Sequence, residues 1–439
     1  MAISDQGMKL GLWALNRFAG LGVLDRVGAR EPAERLLHRA SRDGTRTAAR
    51  ASRTFTAAAK LAQPSRLPAA RSSGLFDLTP TDEQEMLVES FRSFAAERLR
   101  PAATEADAHS TPPAELMAQS SELGIAMLGV PEQLGGVFEE RSATTSVLIA
   151  ETLAHGDMGL AVAALAPAAV STAISLWGDA EQQARYLPAF VGEEVPAAAL
   201  ALLEPRPLFD PMRLETRARR LEGGGFALDG LKALVPRAAD AELFVVAAHV
   251  EGEGPALFVV ESGTEGVLIA PEPAMGLRAA ATGRLTLEDV QLPAEALLAG
   301  GAREAYAECV QRARLAWCAV AVGTARAVLD YVVPYVNERV AFGEPISNRQ
   351  AVAFAVSNIG IELEGMRLTT LRAATRADQE KDFANATAVA RQLCSEKGMA
   401  IGSDGVGLLG GHGFVTEYPV ERWYRDLRAA GLMEGALLV

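Results

Sequence analysis

One carboxylate near the end of this chain sits where chemistry could be done. Glu434 lies in the run Gly431-Leu432-Met433-Glu434-Gly435-Ala436, which carries no other charge. An ionisable group in apolar surroundings has two physical readings. It is an exposed side chain on a loose tail, or it is a buried base whose pKa desolvation has raised toward neutrality. A carboxylate of the second kind can act as a general base near neutral pH. Other reactive residue types offer less. Gly405-Val406-Gly407-Leu408-Leu409-Gly410 matches G-x-G-x-x-G. A dinucleotide fingerprint follows a strand and opens a helix; this one follows a helical stretch and runs into Gly411-His412-Gly413. Neither G-x-x-x-x-G-K-[ST] nor G-x-S-x-G occurs, so phosphate-loop and hydrolase-elbow chemistry are unsupported. Cys309, Cys318 and Cys394 show no C-x-x-C spacing, and the five histidines form no H-E-x-x-H. No metal site is expected, and unpaired cysteines suit a reducing compartment.

The charge is unevenly spread. Residues 1–73 carry 13 Lys/Arg against 5 Asp/Glu, while the remainder carries 29 against 50. A net charge of -13 argues against nucleic-acid partners. Residues 1–74 therefore read as a basic extension and linker, ending in PSRLPAARSSG. Its apolar positions recur at rough helical spacing, as in an arm for a membrane surface or an acidic partner. Packing on the acidic body is the equal alternative, and an Arg-rich organelle transit peptide a third. Arg17 and Asp25 interrupt the apolar run after Lys9, so no secretory signal is read. The chain is expected in the cytoplasm, with peripheral membrane contact through residues 1–73 or an organelle matrix as the other readings.

Three further regions follow. Residues 75–198 read as a helical domain. Thr81-Asp82-Glu83-Gln84 is a capping-box pattern, Leu87, Phe91, Phe94, Ala95 and Leu99 line one face, and Pro101 is expected to end that helix. Met158–Gly178 is an uncharged stretch of 21 residues, the length of a membrane span. Its alanines, serines and Pro167 read instead as a buried helix pair bent at the proline. Residues 199–297 read as a small β domain, with runs at 243–248, 256–260, 266–270 and 284–290. Residues 298–439 return to long helices, expected at 302–337, 348–376 and 382–402, which suggests an antiparallel bundle. The fold class is α+β.

ERVAFGEPISNRQA (338–351), LLGGHGFVTEYPVERWYRD (408–426) and EGA (434–436) together resemble the acyl-CoA dehydrogenase family. ELGIAMLGVPEQLGG (122–136) and MGLRAAATGRLTLEDVQLP (275–293) also look like stretches of that family, so the resemblance covers roughly 76–439. It implies an N-terminal helical domain, a central β domain and a C-terminal four-helix bundle. It implies FAD as cofactor, an acyl-CoA substrate and electron-transferring flavoprotein as acceptor. The activity implied is α,β-dehydrogenation, in which Glu434 takes the α-proton and the β-hydride passes to flavin N5. Arg339, Phe342, Gln350, Gly410 and Gly411 match positions that hold the FAD of a neighbouring subunit, and Arg314 one near the substrate. A homodimer or homotetramer sharing FAD across subunits is implied.

The departures from the family cluster at the flavin loop. Its TEPGAGSD stretch is here Leu203-Glu204-Pro205-Arg206-Pro207-Leu208-Phe209-Asp210. Leu203 stands where a threonine would bond the flavin, and Phe209 where a serine would face flavin and substrate. Pro236 replaces a hydroxyl near flavin N5 and has no N–H of its own. Gly407 and Ala436 replace a glutamine and a threonine, and the family's last helix, which the resemblance places after the base, is not in the sequence. Positions that serve a neighbour's cofactor are mostly kept; those that would hold the chain's own flavin ring are mostly changed. The main expectation is a working FAD-dependent enzyme. The alternatives are a non-catalytic or half-site subunit in a hetero-oligomer with an intact family member, and an acyl-CoA-binding scaffold without flavin chemistry.

Overall fold

The computed structural model describes residues 80–136, 141–192 and 194–435. The basic segment 1–74, with its membrane and acidic-partner readings, lies outside the described residues, as does Ala436.

Helix α1 (Asp82–Phe94) starts as the sequence predicts. Thr81 Oγ1 accepts from the Gln84 N–H, and the Gln84 side chain accepts from the Thr81 N–H. Pro101 does not end the helix. The chain passes through a π-turn at Ala95–Leu99 into α2 (Arg100–His109). The π-turn moves the proline ring clear of the preceding carbonyls, so a residue without an N–H is carried at the start of α2. α3 (Ala114–Glu122), α4 (Ala143–Gly156), α5 (Met158–Trp177) and α6 (Ala180–Tyr186) complete the lobe. α5 is a single helix through Pro167, not a bent pair. Like α7 (Arg303–Glu338), it is long and apolar enough by length and composition to cross a membrane, and both are mostly packed inside the protein. Buried neighbours surround α5 at nearly every position, and that packing holds the helix together across the one backbone bond Pro167 cannot make.

The middle sheet has strands β1 (Ala198–Ala201), β2 (Arg217–Arg220), β3 (Phe226–Val235), β4 (Leu243–Val250), β5 (Gly254–Glu261), β6 (Val267–Pro271) and β7 (Gly283–Leu292). Their order is β1-β4-β2-β3-β7-β6, with β5 also on β4. β1 and β2 share one edge of β4 in parallel register, and β5 takes the other edge antiparallel. The core between strands is apolar, centred on Phe226, Phe244, Phe258 and Leu285.

α7 is followed by a small hairpin of β8 (Val340–Ala341) and β9 (Glu344–Pro345), then α8 (Gln350–Asp378), α9 (Ala384–Leu409) and α10 (Val420–Leu427). These helices bury Val328, Met366, Cys394, Trp423 and Leu427 among themselves. α7 also clasps the first lobe. A Cβ at Gly323 would come 2.0 Å from the Glu151 carbonyl oxygen of α4, an approach only glycine permits. Gly323→Ala is expected to cost about 3 kcal/mol through forced separation of α4 and α7. A fall in the denaturation midpoint checks this.

Candidate active site

The site is assembled at the end of the described chain. After α10 and a 3-10 turn at Arg428–Gly431, the backbone reverses at Glu434 (φ 57) and Gly435 (φ 110). A glutamate in the left-handed region is uncommon and needs outside support. Two arginines provide it. Arg391 on α9 donates from Nη2 to the carbonyls of Met433 (2.8 Å) and Gly435, and from Nη1 to that of Glu434 (3.2 Å). Arg314 on α7 donates from Nε to the Glu434 carbonyl at 3.0 Å. The turn splays three successive carbonyls, and the guanidinium groups take them up. Burial pulls the Arg391 pKa down to about 10, so it stays charged at neutral pH. Arg391→Met would strand buried carbonyls. It is expected to cost about 2–4 kcal/mol and to loosen the turn, read as earlier thermal unfolding.

The Glu434 side chain is 7% exposed, so it is not the exposed group of a loose tail. Its Oε1 accepts from Trp317 Nε1 at 3.1 Å, and its Oε2 is buried with no hydrogen-bond partner. Burial raises its pKa; the Trp317 N–H, Arg391, Arg314 and Lys232 oppose that rise without cancelling it. Glu434 and Trp317 line a cavity of about 240 Å³. α4, α5 and α7 wall it with mostly apolar side chains, among them Ala150, Ala169, Ala313 and Ala316, and the β domain adds Leu203, Leu234 and Pro236. The volume and lining suit an apolar chain or ring next to one carboxylate.

The loop after β1 is fixed from below. Glu204 is paired with Lys232 Nζ at 2.9 Å, both buried, and accepts the N–H groups of Glu215 and Thr216. Arg206 folds back over the Phe209 ring at 5.4 Å and donates to the carbonyls of Asp210 (3.2 Å) and Arg213. Phe209 is therefore buried under Arg206, and its side chain is not part of the cavity wall. Its carbonyl instead lies against Gly435. The Ala233 N–H is spent on the Leu203 carbonyl (2.9 Å) and the Leu234 N–H on Glu272 (2.7 Å).

Glu434, Leu203 and Pro236 thus meet at one cavity, with Arg314 holding the turn behind it. Arg339, Phe342, Gln350, Gly410 and Gly411 do not join them. Arg339 lies 25 residues beyond Arg314 along α7 and its C-cap, about 38 Å at helical rise. Phe342 is 93% exposed, and Arg339, Gln350, Gly410 and Gly411 are exposed too. Tyr335 ties this end of α7 to the glycine turn, its hydroxyl 2.8 Å from His412 Nδ1 and 3.4 Å from the Leu409 carbonyl. A Cβ on Gly410 or Gly411 would meet nothing within 4 Å, which leaves an open surface cradle. Sequence reasoning missed Trp317, Arg391 and the Glu204–Lys232 pair. A lysine between apolar neighbours, Leu231-Lys232-Ala233, was the one signal for the last. Among the described residues, no cluster of three His, Cys, Asp or Glu could hold a metal.

Sequence models of the acyl-CoA dehydrogenase N-terminal, middle and C-terminal domains match residues 81–194, 199–290 and 300–437. The mitochondrial short-chain specific acyl-CoA dehydrogenase of Mus musculus is 31% identical over 362 residues, covering 81% of this chain and 87% of the mouse protein. The butyryl-CoA dehydrogenase of Megasphaera elsdenii superposes with a TM-score of 0.77 at 28% identity, over 83% of this chain and 97% of that one. A glutaryl-CoA dehydrogenase from Mycobacterium smegmatis in complex with FADH2 gives 0.74 at 26%, over 82% and 92%.

Proposed function

The chain belongs to the acyl-CoA dehydrogenase family, and from that premise we propose that it oxidises an acyl-CoA thioester to the trans-2-enoyl-CoA with Glu434 as the base. The observation that carries the reading is Glu434 in the wall of an apolar cavity, with its Oε2 buried and without a hydrogen-bond partner. Oε2 takes the α-proton. The apolar wall keeps water from competing and raises the base toward the pKa such an abstraction needs. The Glu434 backbone N–H donates to no group among the described residues, so it is free to meet the thioester oxygen as charge builds there. Arg314 and Arg391 keep that N–H and the carboxylate in one fixed turn.

Two places in the chain fit parts of FAD. The open cradle at Gly410 and Gly411, tied to the end of α7 by Tyr335, and the exposed Arg339, Phe342 and Gln350 fit the dinucleotide end of a neighbouring subunit's cofactor. The slot at Leu203, Leu234 and Pro236 fits a flat ring by its apolar character, though it gives few hydrogen bonds to the ring edge. When bound, FAD would supply the acceptor for the β-hydrogen and its electron pair. Electron-transferring flavoprotein as the acceptor, a homodimer or homotetramer, and a cytoplasmic place go with this proposal. The last goes with three cysteines that are free and buried, which suit a reducing compartment, an organelle matrix included.

One observation favours a second reading, a half-site subunit paired with an intact family member. The wall that would hold this chain's own ring has lost its donors: Pro236 has no N–H, and those of Ala233 and Leu234 are spent. The visible spectrum of the purified chain separates the two. A yellow protein that bleaches anaerobically with an acyl-CoA supports the enzyme acting alone. A protein that stays colourless with added FAD overturns it and leaves the paired form or the acyl-CoA-binding scaffold.

A further inference from the structure

We infer that Trp317 is a positioning residue for proton abstraction: its indole N–H holds Glu434 Oε1 so that Oε2 is the oxygen presented to the α-carbon. The inference rests on the reading of Glu434 as base.

Arg314 and Trp317 are three residues apart on α7 and so share a face. One meets the Glu434 carbonyl, the other its carboxylate. The remaining charged or titratable groups around Glu434 are engaged elsewhere, Arg312 of the cavity wall with Glu308. Arg391 of α9 donates to backbone carbonyls through both Nη atoms, and Arg314 donates to the Glu434 carbonyl through Nε. Lys232 of β3 is spent on Glu204 and the Leu202 carbonyl. Tyr306 of α7 donates its hydroxyl to the Pro211 carbonyl. The Cys309 thiol, also on α7, is kept protonated by burial. Among the described residues, Trp317 alone donates to the carboxylate, and it fills one oxygen only.

The choice of donor follows from the task. A guanidinium or ammonium in that place would pair with the carboxylate and hold its pKa low, weakening the base. An indole N–H is neutral and cannot accept. It fixes the rotamer through one oxygen and leaves the other stripped of solvent. A donor to the charged form also lowers the pKa, so Trp317 limits how far burial can raise it.

The test is exchange of the α-protons of a saturated acyl-CoA in D2O, followed by mass spectrometry on the purified full chain. Exchange needs the base but no electron transfer, so it reads the role whether or not flavin is bound. Trp317→Phe keeps an aromatic ring and removes the donor. It should slow exchange about tenfold at neutral pH and move the pH midpoint up by about one unit. Trp317→Gln, which restores a neutral N–H, should bring the midpoint back toward wild type. An unchanged rate and midpoint in the phenylalanine variant overturns the positioning role while leaving the base in place. Equal loss in both variants with the midpoint unmoved assigns Trp317 to packing alone and also overturns it. Wild-type exchange no faster than that of Glu434→Gln removes the base reading itself, and Trp317's role with it.

Discussion

Glu434→Gln is expected to lower kcat by roughly 10²–10⁴-fold, the range a positioned general base contributes, while acyl-CoA binding and fold survive. The amide keeps the side-chain shape and still accepts from Trp317, but it cannot take a proton at the position of Oε2. Steady-state rates with isothermal binding of the same acyl-CoA check both halves. A variant that retains near-full rate removes the assignment. The pH dependence follows from the burial of the same group. Only ionised Glu434 can act, and burial holds its pKa above the ordinary carboxylate value. The acid limb of kcat/KM should therefore rise through a midpoint higher than that of a solvated glutamate. Stability runs the other way. A native pKa above the unfolded one means that the native state binds the extra proton. The contribution is fully present below the unfolded value and is lost as pH rises through the native one. Wild type should accordingly gain on Glu434→Gln as pH is lowered through that window, a comparison of two melting curves.

What the sequence exposed and what it hid divide along physical lines. The long helices were legible because apolar positions at helical spacing accumulate over many turns: α7, α8 and α9 lie close to where the sequence places them, α9 running seven residues further to Leu409. The two prolines misled because local propensity was read without its repair. A π-turn carries Pro101, and all-round packing carries Pro167. β3 escaped notice because Asp229-Gly230 breaks its alternation. In the sheet that break is a shift of register against β7 between Leu228 and Gly230, with Gly230 at φ 157 and no room for a Cβ against Thr216. Glu434 stood out by its type and apolar neighbours. Its supports did not, because Trp317 and Arg391 lie 117 and 43 residues away in the chain and meet it only through the packing of α7, α9 and the last turn. Phe209 was legible as a change of residue but not as a change of place, since its burial depends on how Arg206 folds back.

The largest stability effect should come from the ion pair under the cavity wall. Lys232 is 0% exposed and Glu204 3%. Burial drags the lysine pKa down to about 8 against the pull of Glu204. Burial alone would raise that of Glu204, but Lys232 and the N–H groups of Glu215 and Thr216 bring it below the ordinary value. Both groups therefore stay charged at neutral pH, and each depends on the other. Lys232→Met should destabilise the protein by about 3–5 kcal/mol, because it leaves a buried carboxylate without its counter-charge. Adding Glu204→Gln should recover a large part of that loss, since the amide is neutral and can still accept a backbone N–H. Breaking the exposed Arg220–Glu253 pair, which spans two solvated side chains, should shift the midpoint far less. Three denaturation curves decide the matter, and equal losses in the single and double variants would refute the buried-charge argument. The same pair holds the backbone from which Leu203 lines the cavity. The single variant should therefore also weaken acyl-CoA binding at temperatures where it remains folded, and the double variant should restore part of it. A loss of stability with binding untouched would show that the pair anchors the sheet alone and leaves the wall of the site to the contacts of Arg206 and Tyr306.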